Sequence, residues 1–131
     1  MGDRRQIMQD YLDALAKRGD YGQYFADNVI LTAIGSDQRA VGRKAAEQQM
    51  QDMHERAFDA RIEVKNLLVD EDKAAVEADF TGTHTGQFAG IAPTGRTVRV
   101  SYSVVYNLSG DQISALRIYF PMSALVEQLT K

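Results

Sequence analysis

Apolar side chains recur at Ile7, Met8, Tyr11, Leu12, Ala14 and Leu15, with polar residues between them. That spacing of three and four predicts an amphipathic helix over Arg4–Lys17, ended by Gly19-Asp20. Tyr21–Phe25 reads as a second, short helix before Asp27-Asn28. Val29–Ile34 is rich in β-branched residues and reads as a strand that stops at Gly35-Ser36-Asp37. A third helix is predicted over Lys44–Ala57, carrying Ala45, Met50, Met53 and His54. Beyond residue 60 the period changes from helical to two. Ala60–Asp70 alternates in part and ends at Asp70-Glu71-Asp72. Lys73–Thr85 sets Val76, Ala78 and Phe80 on one face and Glu77 and Asp79 on the other, a solvated outer face by this reading. Thr97–Leu108 alternates through Val98, Val100, Tyr102, Val104 and Tyr106. Ser109-Gly110-Asp111 marks a tight hairpin into a last strand, Gln112–Phe120. After Pro121, Ser123–Leu129 returns to a helical rhythm.

Helices first and hairpins afterwards predict an α+β fold: a strongly curved, mainly antiparallel sheet, cone-shaped, with the N-terminal helices packed on its concave face. Gly82, Gly86, Gly90 and Gly95 are spaced to allow that curvature and a tight loop. A hollow between sheet and helices is the natural place for a small molecule. The 131 residues suit a single domain able to bury a core unaided. A formal charge of -3 argues against nucleic acid as a partner. No apolar run approaches the length of a membrane span. The absence of cysteine removes disulfides, thiolate chemistry and cysteine zinc sites, and fits a cytoplasmic chain.

Three strings carry a family likeness. The first is the opening helix, Gly19-Asp20, and Phe25-Ala26-Asp27-Asn28-Val29. The second joins Phe80-Thr81-Gly82-Thr83-His84-Thr85-Gly86 to Pro93-Thr94-Gly95-Arg96. The third is Arg117-Ile118-Tyr119-Phe120 running into Leu125–Leu129. Together they resemble the SnoaL-like polyketide cyclases of the nuclear-transport-factor-2-like superfamily. The resemblance implies a cone-shaped pocket, a homodimer formed through the sheet, and no cofactor. In the cyclases an acidic residue just after the last strand is the general acid/base of an intramolecular aldol ring closure. The matching position here is Pro121, which has no proton to donate and no lone pair to accept one.

His84 is therefore the first candidate for proton exchange, because an imidazole in an apolar cavity can work near neutral pH. The plainer reading makes it a backbone-bonded support for the glycine loop. Arg117 and Tyr119 share one parity of the last strand, and Leu116, Ile118 and Phe120 the other. The parity shared with Pro121 favours Arg117 and Tyr119 as pocket residues, one holding an enolate oxygen and the other donating a hydrogen bond. Their alternative place is a subunit interface. Tyr11, His54, Phe88 and Tyr102 complete the expected pocket; Tyr11 is otherwise core and His54 otherwise exposed at a helix end. Two histidines on different elements make no metal site.

Two functions follow from this set. One is a cofactor-independent cyclase or ketosteroid-isomerase-like enzyme acting on an apolar carbonyl compound through His84, Tyr119 and Arg117. The other is a non-catalytic module that binds an apolar small molecule or dimerises. Convergence of His84 and Tyr119 on one enclosed pocket would favour the enzyme.

Overall fold

The computed structural model describes residues 3–36 and 38–131. Of the turn expected at Gly35-Ser36-Asp37, Asp37 lies outside the described residues. Helix α1 spans Arg4–Ala16, its first turn capped by the Asp3 carboxylate accepting from the Arg5 N–H at 3.0 Å. A 3-10 turn at Tyr21–Tyr24 leads into β1, Phe25–Ala33. A three-residue strand, β2 (Arg39–Val41), precedes α2 (Arg43–Gln51), and α2 continues as a π-helical turn over Asp52–Ala57. Then come β3 (Phe58–Asp70), β4 (Lys73–His84), β5 (Thr97–Ser109), β6 (Gln112–Tyr119) and α3 (Met122–Thr130). Strand β2 has no counterpart in the sequence reading, since three residues are too few to show a period.

The six strands form one sheet in the order β2-β1-β6-β5-β4-β3. Every neighbouring pair is antiparallel except β1 with β6. The sheet is curved but not closed: β2 and β3 are its two free edges. Register slips at Val64/Asn66 in β3 and Asn107/Leu108 in β5 insert the irregularities that bend such a sheet. The α+β architecture and the curved sheet with helices on its concave face are as the sequence predicts.

Alternation decides what each strand gives to the interior. Ala74, Val76, Ala78 and Phe80 of β4 and Val98, Val100, Val104 and Tyr106 of β5 are all buried. They separate into two clusters. Met8, Tyr11 and Leu15 of α1 pack with Met50, Val104, Tyr106 and Leu116 in one. Leu125 and Leu129 of α3 pack with Phe58, Phe80, Val98 and Val100 in the other. Helix α3 also closes the stretch of β5 that β6 does not reach. The Gln128 side-chain amide donates to the Arg99 carbonyl at 2.8 Å and accepts from the Arg99 N–H at 2.9 Å, as a neighbouring strand would.

On the outer face, Asp79 departs from the solvated position expected of it. It is 6% exposed, covered by Arg99 Nη2 at 2.7 Å, Ser101 Oγ at 2.7 Å and Lys65 Nζ at 3.8 Å. Lys65 comes within reach because the slip between Val64 and Asn66 falls on it. The hydroxyl and guanidinium donors hold the Asp79 carboxyl below its ordinary value. Glu77 remains exposed, as expected.

Gly86 is required by close approach: a Cβ there would strike the backbone carbonyl of Arg56. At Gly22 the obstacle would be only the end of the Glu47 side chain, which can swing aside. Gly86→Ala should therefore cost about 1–3 kcal/mol in urea unfolding, and Gly22→Ala clearly less. Equal losses would mean that the backbone approach at Gly86 is not tight.

Candidate active-site cavity

The gap between the two core clusters is a cavity of about 1220 Å³, partly open to solvent. Its walls take residues from both: Tyr11, Met50, Tyr106 and Leu116 from one, Phe80 and Phe120 from the other. Exposed Gln48, Asp52, Arg56 and Gln87 stand around the opening. Asp52 accepts from Gln48 at 2.9 Å and from Arg56 at 3.0 Å, so that charge is already paired.

His54 sits on this wall, carried inward by the π-helical turn. Such turns redirect side chains that an α-helix would place elsewhere, and they recur at functional sites. Its Nδ1 lies 2.7 Å from the Met50 carbonyl oxygen, and a carbonyl only accepts, so Nδ1 carries the proton. Nε2 is left as the accepting nitrogen. Burial pushes the imidazole below its ordinary value of 6.5, an effect opposed by the Met50 carbonyl and by nearby Glu55 and reinforced by Arg18. A neutral ring with one fixed tautomer and one free lone pair is chemically a base.

Three tyrosines share the cavity. Tyr11 meets the edge of Tyr106 with ring centroids 5.9 Å apart, and its hydroxyl approaches Met50 Sδ at 3.8 Å. Tyr102 lies at a tilt to Phe120 at 5.3 Å, Phe120 meets Phe80 edge to face at 5.5 Å, and Phe80 lies at a tilt to His54 at 5.8 Å. Burial raises the phenols of Tyr11, Tyr102 and Tyr106; neighbouring tyrosines raise Tyr11 further, while for Tyr106 the nearby Tyr102 raises it and the bond with Tyr11 lowers it. All three stay protonated as hydrogen-bond donors.

The expected site residues divide accordingly. Tyr11, His54, Phe88 and Tyr102 line the cavity. Arg117 and Tyr119 do not, and the parity argument for them is corrected. In β6 it is Leu116 and Ile118 that face the hollow, followed by Phe120. Arg117 bonds Asn107 Oδ1 at 3.1 Å, and Tyr119 is 44% exposed beside Pro121 in a groove on the outer face. The inward parity was set by the apolar residues, and the resemblance at Pro121 pointed the wrong way. Tyr106 had gone unremarked as a site residue, although it shares the face of Tyr102 four residues on.

His84 is fully buried, on the inner face of β4 but outside the cavity wall. Its ring packs on Phe58 at 5.2 Å. The Thr94 backbone N–H donates to His84 Nδ1 at 3.1 Å, so Nδ1 is bare and the Thr94 hydroxyl, 3.0 Å away, donates to it as well. Nε2 therefore carries the proton, and it is buried without a partner among the described residues. An unpaired buried donor costs about 1–3 kcal/mol. His84 and His54 hold opposite tautomers and do not share a site.

His54 also carries a dependence on pH. The folded-state value of His54 lies below its unfolded value, so the unfolded chain takes up the proton first. Stability should be full above about pH 6.5 and fall as the pH drops through it toward the folded value. Thermal midpoints measured from about pH 7.5 to about pH 5.5 should decline, and less steeply in His54→Gln. The same slope in both would remove the desolvated His54. Nitrogen shifts should show His54 protonated on Nδ1 and His84 on Nε2.

The comparisons agree with this architecture. A proposed SnoaL-like polyketide cyclase from Jannaschia sp. CCS1 superimposes with a TM-score of 0.86 at 20% identity, over 97% of this chain and 91% of that one. AclR, a proposed hydroxylase from Streptomyces galilaeus, gives 0.81 at 21% identity, over 96% and 80%. A protein with a ketosteroid-isomerase-like fold from Catenulispora acidiphila, in complex with trimethylamine, gives 0.77 at 15% identity, over 96% and 93%. At these identities the likeness establishes the fold alone. Among curated proteins no match was found. The family model for the SnoaL-like polyketide cyclases matches residues 5–129, and the chain belongs to that family.

Proposed function

We propose that this chain is a cofactor-independent enzyme of the cyclase or isomerase type, acting on an apolar carbonyl compound inside the cavity. The observation that carries the reading is His54: a half-buried imidazole on the cavity wall, its tautomer fixed by the Met50 carbonyl so that Nε2 accepts. In this reading Nε2 takes a proton from the carbon next to a ketone, and the electron pair moves to the carbonyl oxygen as an enolate. The Tyr102 hydroxyl donates to that oxygen. For ring closure, the enolate carbon forms a bond to a second carbonyl carbon of the same molecule, and the resulting alkoxide recovers the proton from His54. For isomerisation, the proton returns to a different carbon. Neither route consumes an oxidant or a second reactant.

The roles first assigned to His84, Arg117 and Tyr119 pass to His54 and Tyr102, because the latter pair shares a wall. The chain is proposed to act as one domain and to be cytoplasmic, consistent with the absence of cysteine. It is proposed to pair as a homodimer through the outer sheet face, where Ile34 and Tyr119 are exposed. One observation favours a second reading, a binding module without turnover: Pro121 stands where the family resemblance places an acid.

Exchange of the α-hydrogens of an apolar cyclic β-diketone in D2O, followed by NMR, separates the two. Wild type should accelerate exchange, His54→Gln should lose about 10²–10⁴-fold, and Tyr102→Phe should lose less. Ligand-induced thermal shifts should persist in both variants. Acceleration that survives in His54→Gln would dismiss the assignment, and binding without any acceleration would establish the module.

A further inference from the structure

We infer that His84 is a latch: through Thr94 it holds the loop 85–96 so that Gly86, Phe88 and Ala89 form one wall of the cavity beside the turn that bears His54. The inference concerns a positioning residue, and it rests on the cavity being the ligand site proposed above.

The loop leaves β4 at His84 and returns at β5, and its own backbone bonds are few. Phe88 and Ile91 exchange a pair of bonds at 3.0 and 2.8 Å across a tight turn, where Ala89 and Gly90 both have positive φ. Four polar attachments tie it to the body, one of them the Arg96 guanidinium at the loop's end, which donates to the Gln128 carbonyl at 3.3 Å and to the Lys131 carbonyl. At the π-turn end, the Thr85 and Gly86 N–H groups both donate to the Ala57 carbonyl, at 3.1 and 3.0 Å. At the sheet end, the His84 N–H donates to the Arg96 carbonyl at 2.8 Å and the Gly95 N–H to the His84 carbonyl at 3.0 Å. The fourth is the His84 side chain, whose Nδ1 receives both the N–H and the hydroxyl of Thr94. The Thr94 oxygen in turn accepts from the Arg96 N–H at 3.2 Å.

The chemistry explains why an imidazole occupies this place. A phenyl ring would pack on Phe58 equally well and would not bury an unpaired N–H. The imidazole adds an acceptor at Nδ1 and accepts an orphaned Nε2–H in exchange. An interior that tolerates that orphan gains something from the acceptor, and among the described residues the groups the acceptor meets belong to Thr94. The loop it restrains supplies Gly86, Gln87, Phe88 and Ala89 to the cavity wall. His84 thus shapes the cavity without touching it.

The test compares wild type with His84→Phe, Thr94→Val and His84→Asn. His84→Phe keeps the stacking and removes both acceptor and orphan, so its thermal midpoint should hold. Amide exchange at residues 86–89 should nevertheless quicken about tenfold, as should the dissociation of 1-anilinonaphthalene-8-sulfonate used as a cavity probe. Thr94→Val should move both readouts the same way to a lesser degree. In His84→Asn, Oδ1 mimics Nδ1 and should restore slow exchange. Unchanged exchange at residues 86–89 in folded Thr94→Val and His84→Phe would overturn the latch. A wild type that does not bind the probe would count against the cavity as a ligand site, while the exchange rates would still decide the latch.

Discussion

A curved sheet has more surface on its concave side than short helices can cover, and this mismatch governs the molecule. Here α1 lies along β3, where Arg18 donates to the Ala60 carbonyl at 2.8 Å, α2 lies against β1, and α3 covers the start of β5. Close packing within each cluster proceeds normally, with Met8, Phe25, Phe58 and Leu125 fully enclosed. Between them lies the cavity, walled by Tyr11 of α1 and Met50 of α2 and closed further by the π-helical turn that carries His54 and the glycine loop that follows His84.

The two histidines show how differently one side chain can be used. His54 donates to a carbonyl through Nδ1 and leaves Nε2 to accept; His84 accepts from an amide and a hydroxyl and buries its N–H. Neither outcome depends on a charged partner. In each case a backbone group fixes the tautomer, Met50 carbonyl for one and Thr94 N–H for the other. Backbone geometry thereby leaves Nε2 as the acceptor in one imidazole and as the donor in the other.

Much of the fold was legible in the chain because burial on one face leaves a period. Val76, Ala78 and Phe80 announced β4, and Val98 to Tyr106 announced β5, within a residue or two of their ends. The first helix was equally plain from Met8, Tyr11 and Leu15. β2 was not, since pairing of Arg39–Val41 with β1 depends on a contact rather than on a pattern. The site was less legible. Periodicity separated Arg117 and Tyr119 from Leu116 and Ile118, yet the side of the sheet that is hollow is a tertiary fact. The π turn that carries His54 left no mark in composition, and neither did the bond from Thr94 to His84. Asp79 escaped for a similar reason: its cover comes from Arg99, Ser101 and Lys65, two of them on a neighbouring strand and one displaced by a bulge.

The pairing of Gln128 with Arg99 carries a consequence for how copies of this chain avoid one another. Where β6 stops short, residues 97–102 of β5 would otherwise present a row of bare amides to any passing extended segment. One carboxamide on α3 occupies the middle of that row, mimicking a strand without being one. Cover for this stretch is thus lodged in a helix side chain rather than in a neighbouring strand.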